Sequence, residues 1–178
     1  LCQKVQRRID MRSLAAVSKL CAQFSARSEQ ERLLLRLRRC RRRGADFFPA
    51  WLLLRNMEHL TAEFPALLER CAHERRPEDA FFERFSVQLE NLAVYFFFRY
   101  LLKASVDGAL MEKAGACVFH VLAISRLAAS MQIEALPELC RLCGLYSKEV
   151  EHSEENLQLL YRTIRHGALR VGTLLAMI

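Results

Sequence analysis

Between Leu89 and Asp107 the chain reads LENLAVYFFFRYLLKASVD, its densest apolar run, with Phe96, Phe97 and Phe98 in a row. Polar residues nevertheless recur inside it at four-residue steps: Asn91, Tyr95, Arg99, Lys103 and Asp107. On an α-helix that spacing gathers them into one slowly drifting stripe and leaves the other faces apolar. A helix of this kind is expected at the centre of a helical core, covered on most sides, with its polar stripe turned to a groove, a seam or the surface. The Asp107-Gly108 pair that ends it separates two runs far too long to be strands of a hairpin.

The rest of the sequence agrees with an all-α reading. Only 6 Gly and 4 Pro occur in 178 residues, which favours helices with short connections, and no sustained apolar/polar alternation signals a sheet. The expected fold is an all-α helical bundle of about seven to nine helices, with a central helix at 78–105 and a second buried helix at 109–131 packed antiparallel to it. A chain of this length forms one domain by default and buries about 68–70% of its unfolded surface. The weakest joint is at 42–46, so residues 1–44 are expected to form a semi-detached basic helical hairpin.

Net charge and cysteine usage bound the function classes. The formal charge is +7, but seven arginines fall between Arg32 and Arg43, and the remainder is near neutral. The basicity is therefore local, and a whole-domain affinity for nucleic acid does not follow from it. Seven cysteines, an odd number scattered through helix-like segments, are not a secreted disulfide framework and fit a reducing cytoplasm. The first ten residues hold no apolar signal core, and no uncharged apolar stretch approaches the ~20 residues of a membrane span.

Along the chain, residues 2–26 have the pattern of an amphipathic helix. Ser28 and Glu31 form a capping box for a basic helix at 28–43 that stops at Gly44. Arg36, Arg39 and Arg43 stack on one face of it and are candidates for partner binding, set against a plain solvated face. Asp46 and Pro49 open a helix through Trp51 towards Leu60, with Trp51 as a core anchor. Pro137 opens a helix over 136–151, and Ser153 with Asn156 caps the next one.

Chemistry-bearing patterns are sparse. Cys140 and Cys143 form a C-x-x-C without a second ligand pair, so no metal site is expected there. His120, inside an apolar run, reads as a satisfied core histidine. Tyr146, Glu149 and His152, at i, i+3 and i+6, share one face of an ideal helix. Facing Asn91, Tyr95 and Arg99 across a groove, they would supply a carboxylate and an imidazole for acid/base work, and Lys103 would extend the binding side. An ordinary hydrogen-bonded helix end fits the same spacing. No nucleotide-binding loop or nucleophile-elbow pattern is present.

Two segments resemble a known family in wording. The E-N followed by Y-x-x-x-R-Y at 90–100, L-K-A-x-x-D-G at 102–108 and LYSKEVEHSEEN at 145–156 are similar to the C-terminal part of the bacterial flagellin lysine-N-methylase family, and NMEHLTAEFPALLE at 56–69 is similar too. The resemblance covers about residues 50–162. It implies S-adenosylmethionine as methyl donor and flagellin or another protein as substrate. The family's longer members carry an N-terminal C-x-x-x-C-C cluster, and Cys2, Cys21 and Cys40 do not reproduce that spacing. The expected function is methylation of protein lysine side chains or recruitment of that substrate, with Asn91, Tyr95, Arg99, Tyr146, Glu149 and His152 as the site. The alternative is a non-enzymatic module whose 28–43 helix grips an acidic protein or nucleic acid.

Overall fold

The computed structural model describes residues 46–71 and 79–177, and among them every regular element is helical. In chain order these are α1 (Phe48–Arg55), α2 (Glu63–Arg70), α3 (Asp79–Arg84), α4 (Ser86–Tyr100), a 3₁₀ turn (Leu101–Lys103), α5 (Ala104–Asp107), α6 (Leu110–Ser130), α7 (Leu136–Tyr146), a π-helical turn (Ser147–Glu151), α8 (Glu154–His166) and α9 (Val171–Ala176). The all-α bundle expected from the sequence is the fold. The proposed hairpin at 1–44, with its amphipathic and basic helices, lies outside the described residues.

The centre of the bundle is α6 rather than the helix at 78–105. Helices α1, α4, α5, α7, α8 and α9 all pack on it, and Phe119, His120, Ala123, Ile124, Leu127 and Ala128 on it are buried. The expected long helix is instead broken at Phe85, whose backbone (φ −110°, ψ 18°) leaves helical values and whose ring is buried against Phe81. Beyond the break α4 has two unlike faces. Phe85, Leu89, Phe96 and Tyr100 recur every four to seven residues and are buried, whereas Val87, Val94, Phe97 and Phe98 are exposed. Apolar density marked a helix of the core; it did not say that only one edge would be covered.

Helices α4 and α6 are antiparallel, as expected from their short link. Asp107 Oδ2 lies 3.2 Å from Lys113 Nζ beside the turn, Phe96 stacks on His120 further along, and Arg84 faces Glu134 at the far end. Gly108 makes the reversal at φ 72°, a conformation costly for other residues, and Asp107 Oδ1 accepts the Ala109 N–H at 3.0 Å. Other local signals hold as well. Ser153 Oγ accepts the Asn156 N–H at 3.2 Å as the cap of α8, and Pro137 sits in the first turn of α7. Trp51 is half-buried, donating from Nε1 to the Leu68 carbonyl at 3.3 Å. Helix α1 stops at Arg55, short of the expected Leu60, which is exposed in the following loop.

Gly115 sets the approach of α6 to α8. A methyl group there would meet Ile164 Cγ2 at 2.8 Å and Val171 Cγ2 at 3.3 Å. Ile164 is buried and β-branched, so it has little room to turn aside. Gly115→Ala is expected to destabilise the fold by about 1–2 kcal/mol, because overpacking outweighs the helix-propensity gain of up to about 1 kcal/mol. Urea unfolding measures it, and an unchanged or higher midpoint contradicts the close approach.

Candidate functional site

A π-helical turn decides which side chains meet. At residues 147–151 the helix widens by one residue, with the His152 N–H bonded to the Ser147 carbonyl at 3.2 Å. Tyr146 and Glu151, five apart, therefore point to the same side, into the seam between α4 and α6. Glu149 is carried round to the opposite side. Such insertions recur at functional sites.

Glu151 is the hub of the seam. Its carboxylate is 5% exposed as a residue, and a single oxygen, Oε1, accepts the Tyr100 hydroxyl at 3.0 Å and the Tyr95 hydroxyl at 3.2 Å. Arg99 Nε lies 2.9 Å from the same oxygen as an ion pair, although its N–H is not aimed along a hydrogen-bond line. The guanidinium also lies 5.8 Å from the centres of both tyrosine rings, and Lys103 Nζ lies 5.9 Å from that of Tyr100. Burial, followed by the Glu151 charge, raises the Tyr95 phenol above its ordinary range. Burial is also the main cause that holds the Tyr100 phenol far above it. Both therefore stay protonated donors, which is the state a buried carboxylate requires.

Behind this hub sits a neutral aromatic layer. His120, fully buried at the middle of α6, stacks on Phe96 and Tyr100 at 4.7 and 5.0 Å between ring centres. Its Nδ1 is 2.8 Å from the Tyr146 hydroxyl, and its buried Nε2 has no partner. Burial, reinforced by the Arg99 charge, pushes the imidazole down to about 3, so it is neutral at pH 7. Tyr146 is held well above the ordinary phenol range, chiefly by burial.

On the opposite side of the π-turn, Glu149 and Asn156 clamp the loop between α1 and α2. Glu149 accepts the Leu60 N–H at 2.7 Å and the Thr61 hydroxyl at 2.6 Å. Asn156 Oδ1 accepts the Glu58 N–H, and its Nδ2 donates to the Glu58 and Glu149 carbonyls, each at 2.8 Å. This clamp is tertiary scaffolding: every polar atom in it faces backbone or a loop hydroxyl.

Among the six residues expected to form one site, Tyr95 and Arg99 come together, on Glu151. Tyr146 joins the layer behind them through His120. Glu149 belongs to the loop clamp, and Asn91 and His152 are exposed outside the cluster. The i, i+3, i+6 argument assumes 100° per residue, and the π-turn breaks that register. Tyr100, one residue off the polar stripe, and Glu151 are the members of this cluster that spacing missed. A signal was present in the two acids at Glu149 and Glu151, two residues apart, which an α-helix cannot both direct into one seam. Arg36, Arg39 and Arg43 lie outside the described residues. Cys143 is half-buried and its thiol is raised to about 11, first by burial, so it is a poor nucleophile; Cys140 is exposed on the next turn of α7. Among the described residues no group of three or more His, Cys, Asp or Glu is placed to hold a metal ion, and no helix is long and apolar enough to cross a membrane.

A family model described as the FliB lysine N-methylase C-terminal domain matches residues 1–178. No curated protein and no solved structure matches the chain.

Proposed function

Because the chain belongs to the FliB lysine N-methylase C-terminal domain family, we propose that it recruits the protein substrate of lysine methylation, flagellin, rather than carrying the proton-transfer chemistry in the Glu151 cluster. The observation behind this reading is the division of α4 into two edges. Its inner edge is locked: Tyr95, Arg99 and Tyr100 all converge on Glu151 Oε1. Its outer edge presents Val94, Phe97 (49% exposed) and Phe98 (63% exposed) to solvent. Large apolar side chains held in water by a rigid helix characterise protein-binding surfaces.

The cluster itself is unsuited to deprotonating a lysine amine. Its carboxylate already accepts from two hydroxyls and faces a guanidinium, and the phenols and the imidazole are held in their neutral forms. S-adenosylmethionine, the donor implied by the family resemblance, does not fit there either, since the seam is filled by the stacked rings of Phe96, Tyr100 and His120. Methyl transfer, if it depends on this protein, is assigned to residues outside the cluster. Titrating flagellin into the chain tests the reading. Saturable association at micromolar concentration is expected, and its absence sinks recruitment.

A further inference from the structure

A cleft of about 330 Å³ opens between α2, the turn after α6, and α7. Its floor is apolar: Leu67, Ile133 and Leu142 are buried there and Leu145 is half-buried. Four charges ring it, Glu63 and Arg70 on one face of α2, Glu138 and Arg141 on one face of α7. All four are exposed, and among the described residues none of them has an ion-pair partner within 4.0 Å. Two acids and two arginines thus surround one opening as exposed charges. The volume is at the small end of ligand pockets, enough for a few side chains.

The cleft wall also carries the described chain's one non-glycine residue at positive φ, Gln132 (φ 56°). It closes α6 in a Schellman arrangement, with the Ile133 N–H on the Ala128 carbonyl at 3.0 Å and the Gln132 N–H on that of Ala129 at 3.0 Å. Glycine is the usual residue at that position, and it would hold the turn without strain. Gln132 instead places an amide side chain at the cleft.

We propose that this cleft docks a lysine-bearing segment of the protein substrate, which deepens the recruitment reading and rests on it. The ammonium of the lysine meets Glu63 and Glu138, its methylene stem lies on Leu67 and Leu142, and an acidic neighbour meets Arg70 and Arg141. The charge pattern is complementary at both ends, and neither half needs a partner displaced before binding.

Flagellin binding measured by fluorescence anisotropy tests this. E63Q/E138Q and R70Q/R141Q are each expected to weaken binding about tenfold or more, with helical content unchanged because the four side chains are exposed. Flagellin acetylated on its lysines should bind the natural chain as weakly, and E63Q/E138Q should weaken it no further. Gln132→Gly should raise the melting temperature while weakening binding severalfold. Unchanged affinity in E63Q/E138Q, or acetylated flagellin bound as tightly as unmodified, overturns the proposal. Full displacement of flagellin by millimolar free lysine also overturns it, since the cleft would then be an amino-acid site. If the natural chain binds no flagellin, the recruitment reading fails and takes this inference with it; binding that ignores the cleft variants removes this inference alone.

Discussion

Replacing Arg99 by leucine is expected to destabilise the fold by about 3–5 kcal/mol, the largest loss among single changes in the Glu151 cluster. The loss comes from Glu151, whose buried carboxylate would be left without the cation beside it. The reverse change, Glu151→Leu, should cost less, about 2 kcal/mol, since the Arg99 side chain is 34% exposed and can turn its guanidinium to water. That change leaves the buried Tyr100 hydroxyl as the main unpaired group. Removing both charges together should therefore be milder than removing Arg99 alone. A double-mutant cycle by chemical denaturation reads all three values. If R99L costs no more than E151L, the charge of Glu151 is not held by Arg99.

Acid stability should depend on His120. Its imidazole falls from an ordinary value of 6.5 to about 3 in the folded chain, first because it is buried and then because of Arg99. Below pH 6.5 the unfolded chain takes up a proton at this position that the folded chain does not. The contribution to stability is thus complete above pH 6.5, is lost as the pH falls towards about 3, and is flat below that. The full span is about 5 kcal/mol. Replacing His120 and Tyr146 together by phenylalanine removes this slope. It also removes the unpartnered Nε2, so at pH 7 the double variant should be close to the natural chain in stability. A double variant with the natural acid slope would place its origin elsewhere.

The fold was legible in the sequence wherever a signal is local. Ser153 as a cap, Gly108 at a left-handed turn and Pro137 in a first helical turn each satisfy backbone requirements set within a few residues. The class followed from periodicity. What misled was the choice of centre, because apolar content cannot distinguish a helix covered on all sides from one with a second, exposed apolar edge. Val94, Phe97 and Phe98 are as greasy as Phe119 and Ile124, yet they face water. The site was half legible. Tyr95 and Arg99 lie on the stripe read from four-residue spacing, and they meet an acid on the segment singled out at 145–156. Which acid they meet depends on one extra residue in the helix at 147–151, and no propensity argument sees that register shift.

On the recruitment reading, the functional weight lies on surfaces. The polar network of Tyr95, Arg99 and Tyr100 on Glu151 fastens α4 to the π-helical turn, and the exposed aromatic edge proposed for recruitment lies on the other side of α4. The most direct measurement is the affinity of the chain for flagellin before and after F97D/F98D, two changes at exposed positions that leave the buried edge of α4 intact. Loss of binding by about tenfold or more with an unchanged melting temperature is the predicted result. Equal affinity in the variant contradicts the assignment of α4 as the recruiting helix.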